Sequence, residues 1–165
     1  MKIRNIVLAA ALVAFAIAPN AAKAASGTAS ASATIAAAVT ISKTSDLQFG
    51  LISPTGTAGT VTVSNAGART GDANVVLQSG ATATQASFLV AGAASQAVTI
   101  TIPSTATLTS GGDTMTATLD QTTGGSQTLD GSGNYSINVG GVLAVGATQA
   151  AGSYSGTFDV TVVYN

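Results

Sequence analysis

Tyr154-Ser155-Gly156-Thr157-Phe158-Asp159-Val160-Thr161-Val162-Val163-Tyr164-Asn165 is the stretch on which the fold turns. If successive side chains point to opposite sides, Tyr154, Phe158, Val160, Val162 and Tyr164 share one face and Ser155, Thr157, Asp159 and Thr161 the other. That period of two belongs to a strand with one buried face and one wet face. The segment holds three of the six aromatic residues that follow residue 24. Burying each large apolar side chain is worth about 1.5–3 kcal/mol, so a core strand is expected here. The chain stops one residue after Tyr164, so this strand is expected to present an uncovered edge, and exposed edges invite pairing. Gly152, Tyr154, Phe158, Val160, Val162 and Tyr164 are therefore the candidate strand-acceptor edge.

Working upstream, the same alternation recurs in short pieces. Ile35, Ala37, Val39 and Ile41 alternate with small or polar residues, and Leu47 and Phe49 follow. Further segments are Thr60 to Val63, Asn74 to Gln78, Ser87 to Ala91, Ala97 to Ile102, Met115 to Leu119, Tyr135 to Val139 and Val142 to Val145. Gly111-Gly112-Asp113, Gly124-Gly125-Ser126 and Asp130-Gly131-Ser132-Gly133-Asn134 supply turn chemistry, because Gly, Asn and Asp tolerate positive φ. No stretch after residue 24 shows a convincing 3.6-residue amphipathic period. Many short strands separated by such turns predict an all-β, immunoglobulin-like antiparallel β-sandwich.

Before this domain stands an address. Lys2 and Arg4 precede an apolar run from Ile6 to Ala18, and Ala22-Lys23-Ala24 offers an A-x-A cleavage point, so residues 1–24 are expected to be a cleaved helical signal peptide. The run is too short for a comfortable membrane span, which needs roughly 20 residues. No membrane span is expected after cleavage, and the destination is the periplasm, the outer cell surface or the extracellular space of a bacterium. Residues 25–34 read as a flexible Ala/Ser/Thr leader and 35–165 as the sandwich. The whole chain carries a net charge of −1; once the signal is removed, Lys43 and Arg69 face six Asp residues, giving −4. Ile35, Ala37, Val39 and Ile41 form the candidate donor strand for an open edge, since strand addition draws affinity from backbone hydrogen bonds and specificity from alternate side chains. Ala29, Ala31 and Ala33 before it would contribute little burial.

The inventory of reactive side chains is short. There is no His and no Cys, which removes imidazole bases, thiol nucleophiles, the usual zinc ligands and disulfides. No enzyme and no cofactor or metal is expected. Asp113, Asp120 and Asp130 are the one set of carboxylates close enough in sequence to weigh for hydrolysis, and their Gly/Thr surroundings favour turn roles. Asp130-Gly131-Ser132-Gly133-Asn134 lacks the spaced carboxylates of a strong calcium loop. Lys43 and Arg69 read as surface charges beside Asp46 and Asp72. Tyr135 and Tyr154 offer aromatic faces for a sugar but are expected in the core. Five cationic residues leave no basic stripe, so no nucleic acid is expected as a partner. An outer-membrane barrel is disfavoured by segments shorter than the roughly 9 to 11 residues of a spanning strand.

Two resemblances rest on these residues. The C-terminus resembles that of chaperone-usher pilins, with Tyr164 penultimate and Gly152 fourteenth from the end in an alternating apolar strand. The chain from residue 25 onward also resembles the bacterial secreted family catalogued as domain of unknown function 4402. It does so through Leu47-Gln48-Phe49-Gly50, Gly59-Thr60-Val61-Thr62-Val63-Ser64, Asp130-Gly131-Ser132-Gly133 with Val139-Gly140-Gly141, and Gly152-Ser153-Tyr154-Ser155-Gly156-Thr157-Phe158. The second resemblance implies no activity. The pilin resemblance implies a sandwich lacking one strand, completed by a neighbour, with a periplasmic chaperone and an outer-membrane usher as assembly partners. Together the readings predict a secreted structural or adhesive subunit that forms a pilus or surface fibre as a homo-oligomer or with related subunits. The alternative is a self-complemented monomer acting as a periplasmic or surface binding module.

Overall fold

The computed structural model describes residues 23–165, so all but the last two residues of the expected signal peptide lie outside the described residues. Residues 23–34 are exposed, with neither helix nor strand, and residues 35–165 form a compact unit of their own. Thirteen strands follow in order: β1 (Thr40–Ser45), β2 (Ile52–Pro54), β3 (Gly59–Val63), β4 (Arg69–Gly71), β5 (Val75–Leu77), β6 (Ala86–Ala91), β7 (Ala97–Thr101), β8 (Thr105–Ser110), β9 (Asp113–Leu119), β10 (Gly125–Thr128), β11 (Asn134–Val139), β12 (Gly141–Val145) and β13 (Thr161–Tyr164). Every pairing is antiparallel, and the described residues contain no helix. The all-β expectation is met.

Hydrogen bonding divides the strands into a five-stranded sheet β4-β3-β12-β9-β8, two three-stranded sheets β1-β6-β11 and β10-β7-β13, and the pair β2-β5. The chain passes between sheets at bends that its residues explain. β8 and β9 form a hairpin closed by Gly111-Gly112, with Ser110 opposite Asp113 and Gly111 at φ +60°. Positive φ at the first turn position alone fits a II′ turn, whose twist matches its strands. Continued beyond the corner, the same two arms pair again as β7 and β10, Ile100 opposite Gly125. The corner falls at Ile102-Pro103-Ser104, where Pro103 has no N–H to offer a ladder. A second bend joins β11 to β12. A Cβ on Gly140 would collide with the Val63 carbonyl oxygen, so only glycine lets the chain cross there from one sheet to the other.

The inward faces meet in one core that includes Val61, Val63, Val90, Val98, Ile137, Val139 and Leu143. No polar or charged residue is fully buried among the described residues. Four strands, β2, β4, β8 and β10, stand where sequence reading placed none. β2 and β4 are only three residues long. β8 (TATLTS) and β10 (GSQT) are made mainly of Thr, Ser, Gly and Gln, so their inward positions carry too little apolar contrast to register as alternation.

Candidate strand-addition site

The terminal segment keeps its alternation while its ladder is interrupted. Tyr154, Phe158 and Val162 are half-buried and Val160 is buried, whereas Thr157, Asp159, Thr161 and Val163 are exposed. The hydrogen-bonded strand is confined to β13, with Val162 opposite Ile100 and Tyr164 opposite Val98. Upstream, Ser155 and Thr109 exchange backbone hydrogen bonds of 2.8 and 3.0 Å. The terminal segment therefore follows the bent β7–β8 arm along its whole length, attached at both ends. Its middle spans the corner at Pro103, where a regular ladder cannot continue. Phe158 packs edge-on against Phe88 with centroids 6.3 Å apart, which holds the spanning residues on the core.

Gly152 and Gly156 let this segment approach β8. A Cβ on Gly156 would strike the Thr107 carbonyl oxygen, and one on Gly152 the Ser110 hydroxyl. Tyr154 donates its hydroxyl to the Ala150 carbonyl at 2.8 Å and accepts from the Gln149 side chain at 2.7 Å.

β13 lies at the edge of its sheet: β7 covers one side, and among the described residues no strand pairs with the other. The Asn165 amide bonds to the Ala97 carbonyl at 3.1 Å. Bonding alternates along an antiparallel pair, so the backbone groups of Val162 and Tyr164 point to the open side. β1 runs beside this edge without forming a ladder with it.

The four donor candidates divide. Ile41 sits in β1 opposite Val90, inside the chain's own sheet, and Val39 packs against the core. Ala37 carries no strand, but its carbonyl accepts the Tyr164 hydroxyl at 2.8 Å, while that hydroxyl accepts the Ala93 amide at 2.6 Å. Ile35 is 95% exposed. Thr109 and Ala93, two further partners of this terminal segment, escaped sequence reading because they are held mainly through backbone amides and carbonyls.

The charged residues act locally. Lys43 and Asp46 form an exposed ion pair at 2.6 Å. The expected Arg69–Asp72 pair is not formed. Arg69 instead donates to the carbonyls of Phe49 (3.1 Å), Leu51 (3.4 Å) and Gln78 (2.9 Å), and a Cβ on Gly50, which sits at φ +74°, would overlap its guanidinium. Asp72 accepts from the Asn74 amide at 2.9 Å and from the Thr60 amide at 2.7 Å and hydroxyl at 3.1 Å. The Asn74 amide foremost, then the Thr60 groups, hold its carboxyl below 3.8 against a partial loss of solvent. Asp130 Oδ1 accepts the Ser132 and Asn134 amides, each at 2.8 Å, and Asp120 Oδ1 the Thr122 amide at 2.9 Å. These are Asx turns that fix loops. Among the described residues no cluster of acidic side chains has the makings of a metal site.

One family model, described as domain of unknown function (DUF4402), matches residues 39–164. No curated protein matches the chain. No solved structure matches it either.

Proposed function

The chain belongs to the DUF4402 family, whose description assigns no activity, and we propose that this member works through its strand edges as an exported structural or adhesive subunit of a bacterial surface. In this reading copies, or related subunits, join into a pilus or fibre by donor-strand complementation of an immunoglobulin-like sandwich. The observation that carries it is a mismatch between pattern and pairing: the stretch before β1 has apolar residues at alternate positions, yet residues 23–39 form no strand, and Ile35 is 95% exposed. The open side of β13 supports it from the acceptor side, since an unpaired row of amides and carbonyls is a template for another chain. Export rests on Lys2, Arg4, the apolar run and Ala22-Lys23-Ala24.

The test is a gel of purified protein with and without boiling. A ladder that collapses on heating is expected, and a single monomer band at all protein concentrations would overturn the proposal. Deleting Ala25 to Ala38 should abolish the ladder; a deletion variant that assembles as before removes the donor. A second reading, a self-complemented binding module, draws on the bond from Tyr164 to the Ala37 carbonyl. It predicts the monomer band.

A further inference from the structure

The inward face of the five-stranded sheet runs out of cover toward the β8–β9 hairpin tip. Along β9, inward positions go from buried Leu119 and Ala117 to half-buried Met115, and along β8 from buried Ala106 to half-buried Leu108. Leu108 and Met115 face each other across the pair. With Leu143 and Val145 they floor a cleft of about 920 Å³, walled by residues 47–54 on one side and 149–154 on the other. The walls make no ladder with each other, and Leu51 on the first wall is 53% exposed. Its volume lies at the upper end of the roughly 300–1,000 Å³ of small-molecule pockets.

We infer that this cleft is the seat for residues 29–37 of a second copy of the chain. The inference rests on the strand-addition reading but seats the incoming strand in this cleft and not on the open side of β13, beside which β1 already runs. Two observations choose the occupant. The first is pattern: Ala29, Ala31, Ala33, Ile35 and Ala37 alternate with Ser30, Ser32, Thr34 and Ala36, so an extended segment presents one continuous apolar face and an opposite face that is polar as far as Thr34. Its methyl side chains let the backbone sink between the walls, and Ile35, the one large side chain, meets apolar surface that Leu51, Leu108 and Met115 leave uncovered. The second is charge. No lining residue of the cleft is charged, and residues 24–42 carry no charge. A charged partner would lose water there with no counter-charge to meet it, whereas this segment has no charged side chain to desolvate.

Because the chain contains no Cys, single-cysteine crosslinking reads the contact directly. A tagged copy carrying Ile35→Cys is mixed with an untagged copy carrying Met115→Cys, Ala151→Cys or Val163→Cys and oxidised. Ala151 is exposed on the cleft wall, so its variant leaves the core intact if Met115→Cys disturbs folding. Val163 is 57% exposed on β13 and reports addition at that edge. The expected result is a shift from monomer to heterodimer with the Met115 or Ala151 variant and none with the Val163 variant. Heterodimer with Val163→Cys alone overturns the cleft as the seat and leaves strand addition standing. No heterodimer with any of the three overturns both.

Discussion

At Gly133 the loop Asp130-Gly131-Ser132-Gly133-Asn134 requires a glycine for two independent reasons. Its φ is +81°, and a Cβ would collide with the Gly92 carbonyl oxygen while the Gly92 amide bonds to the Gly133 carbonyl at 2.8 Å. Left-handed backbone costs a residue with a side chain about 1–3 kcal/mol, so Gly133→Ala should lower stability by at least that much in a urea titration. Gly131, two positions earlier, has open space where its Cβ would go, and Gly131→Ala should stay within about 0.5 kcal/mol of the parent. Asp72 gives a second residue-scale test. Its carboxyl is held below 3.8, chiefly by the Asn74 amide. A depressed folded value means the contribution is complete above 3.8 and is lost as pH falls through the lower folded value. The stability advantage of the parent over Asp72→Asn should therefore be constant at neutral pH and shrink on acidification below about pH 4. An advantage unchanged down to pH 2 would mean that the ionised form matters little.

Between residues and the whole fold lie the ties that hold elements together, and Arg69 in β4 makes one through three carbonyls. Its guanidinium gathers three carbonyls, two from the loop before β2 and its flank and one from the end of β5. Hydrogen bonds to charged donors contribute about 1.5–3 kcal/mol each, and a planar fork reaches several acceptors where an ammonium cannot. Arg69→Met should cost at least about 2–3 kcal/mol in chemical denaturation, and Arg69→Lys should recover less than half of it. This tie was not legible in the sequence, where Arg69 stands three residues from Asp72 and reads as half of an ion pair; its partners are backbone oxygens that only the tertiary structure brings together. The terminal strand was legible because Phe158, Val160, Val162 and Tyr164 contrast sharply with Thr157, Asp159 and Thr161. The interruption of its ladder was not, since that follows from Pro103 at the corner between β7 and β8. β8 was missed for the opposite reason: its inward face holds one large apolar side chain, Leu108, beside small Ala106, and so gives a weak alternation. Gly50, Gly140 and Gly156, quoted as sequence motifs, are each explained by a close approach that no periodicity encodes.

At the scale of the molecule, the shortage of charge governs how copies meet. Residues 25–165 hold Lys43 and Arg69 against six Asp residues, so approaching copies repel weakly overall, while the proposed donor and its seat are uncharged. Salt then acts on the repulsion and leaves the contact alone. Screening shortens from about 30 Å at 0.01 M to about 3 Å at 1 M, and salt does not weaken apolar burial or interchain backbone hydrogen bonds in the way it weakens ion pairs. Assembly should thus hold or strengthen as NaCl rises from 0.01 to 1 M, measured by sedimentation velocity at fixed protein concentration. An interface built on Lys43 or Arg69 against a neighbour's Asp would behave oppositely and dissociate with salt. Dissociation at high salt would move the contact from the uncharged donor and its cleft to the few charged side chains, which lie elsewhere on the sandwich.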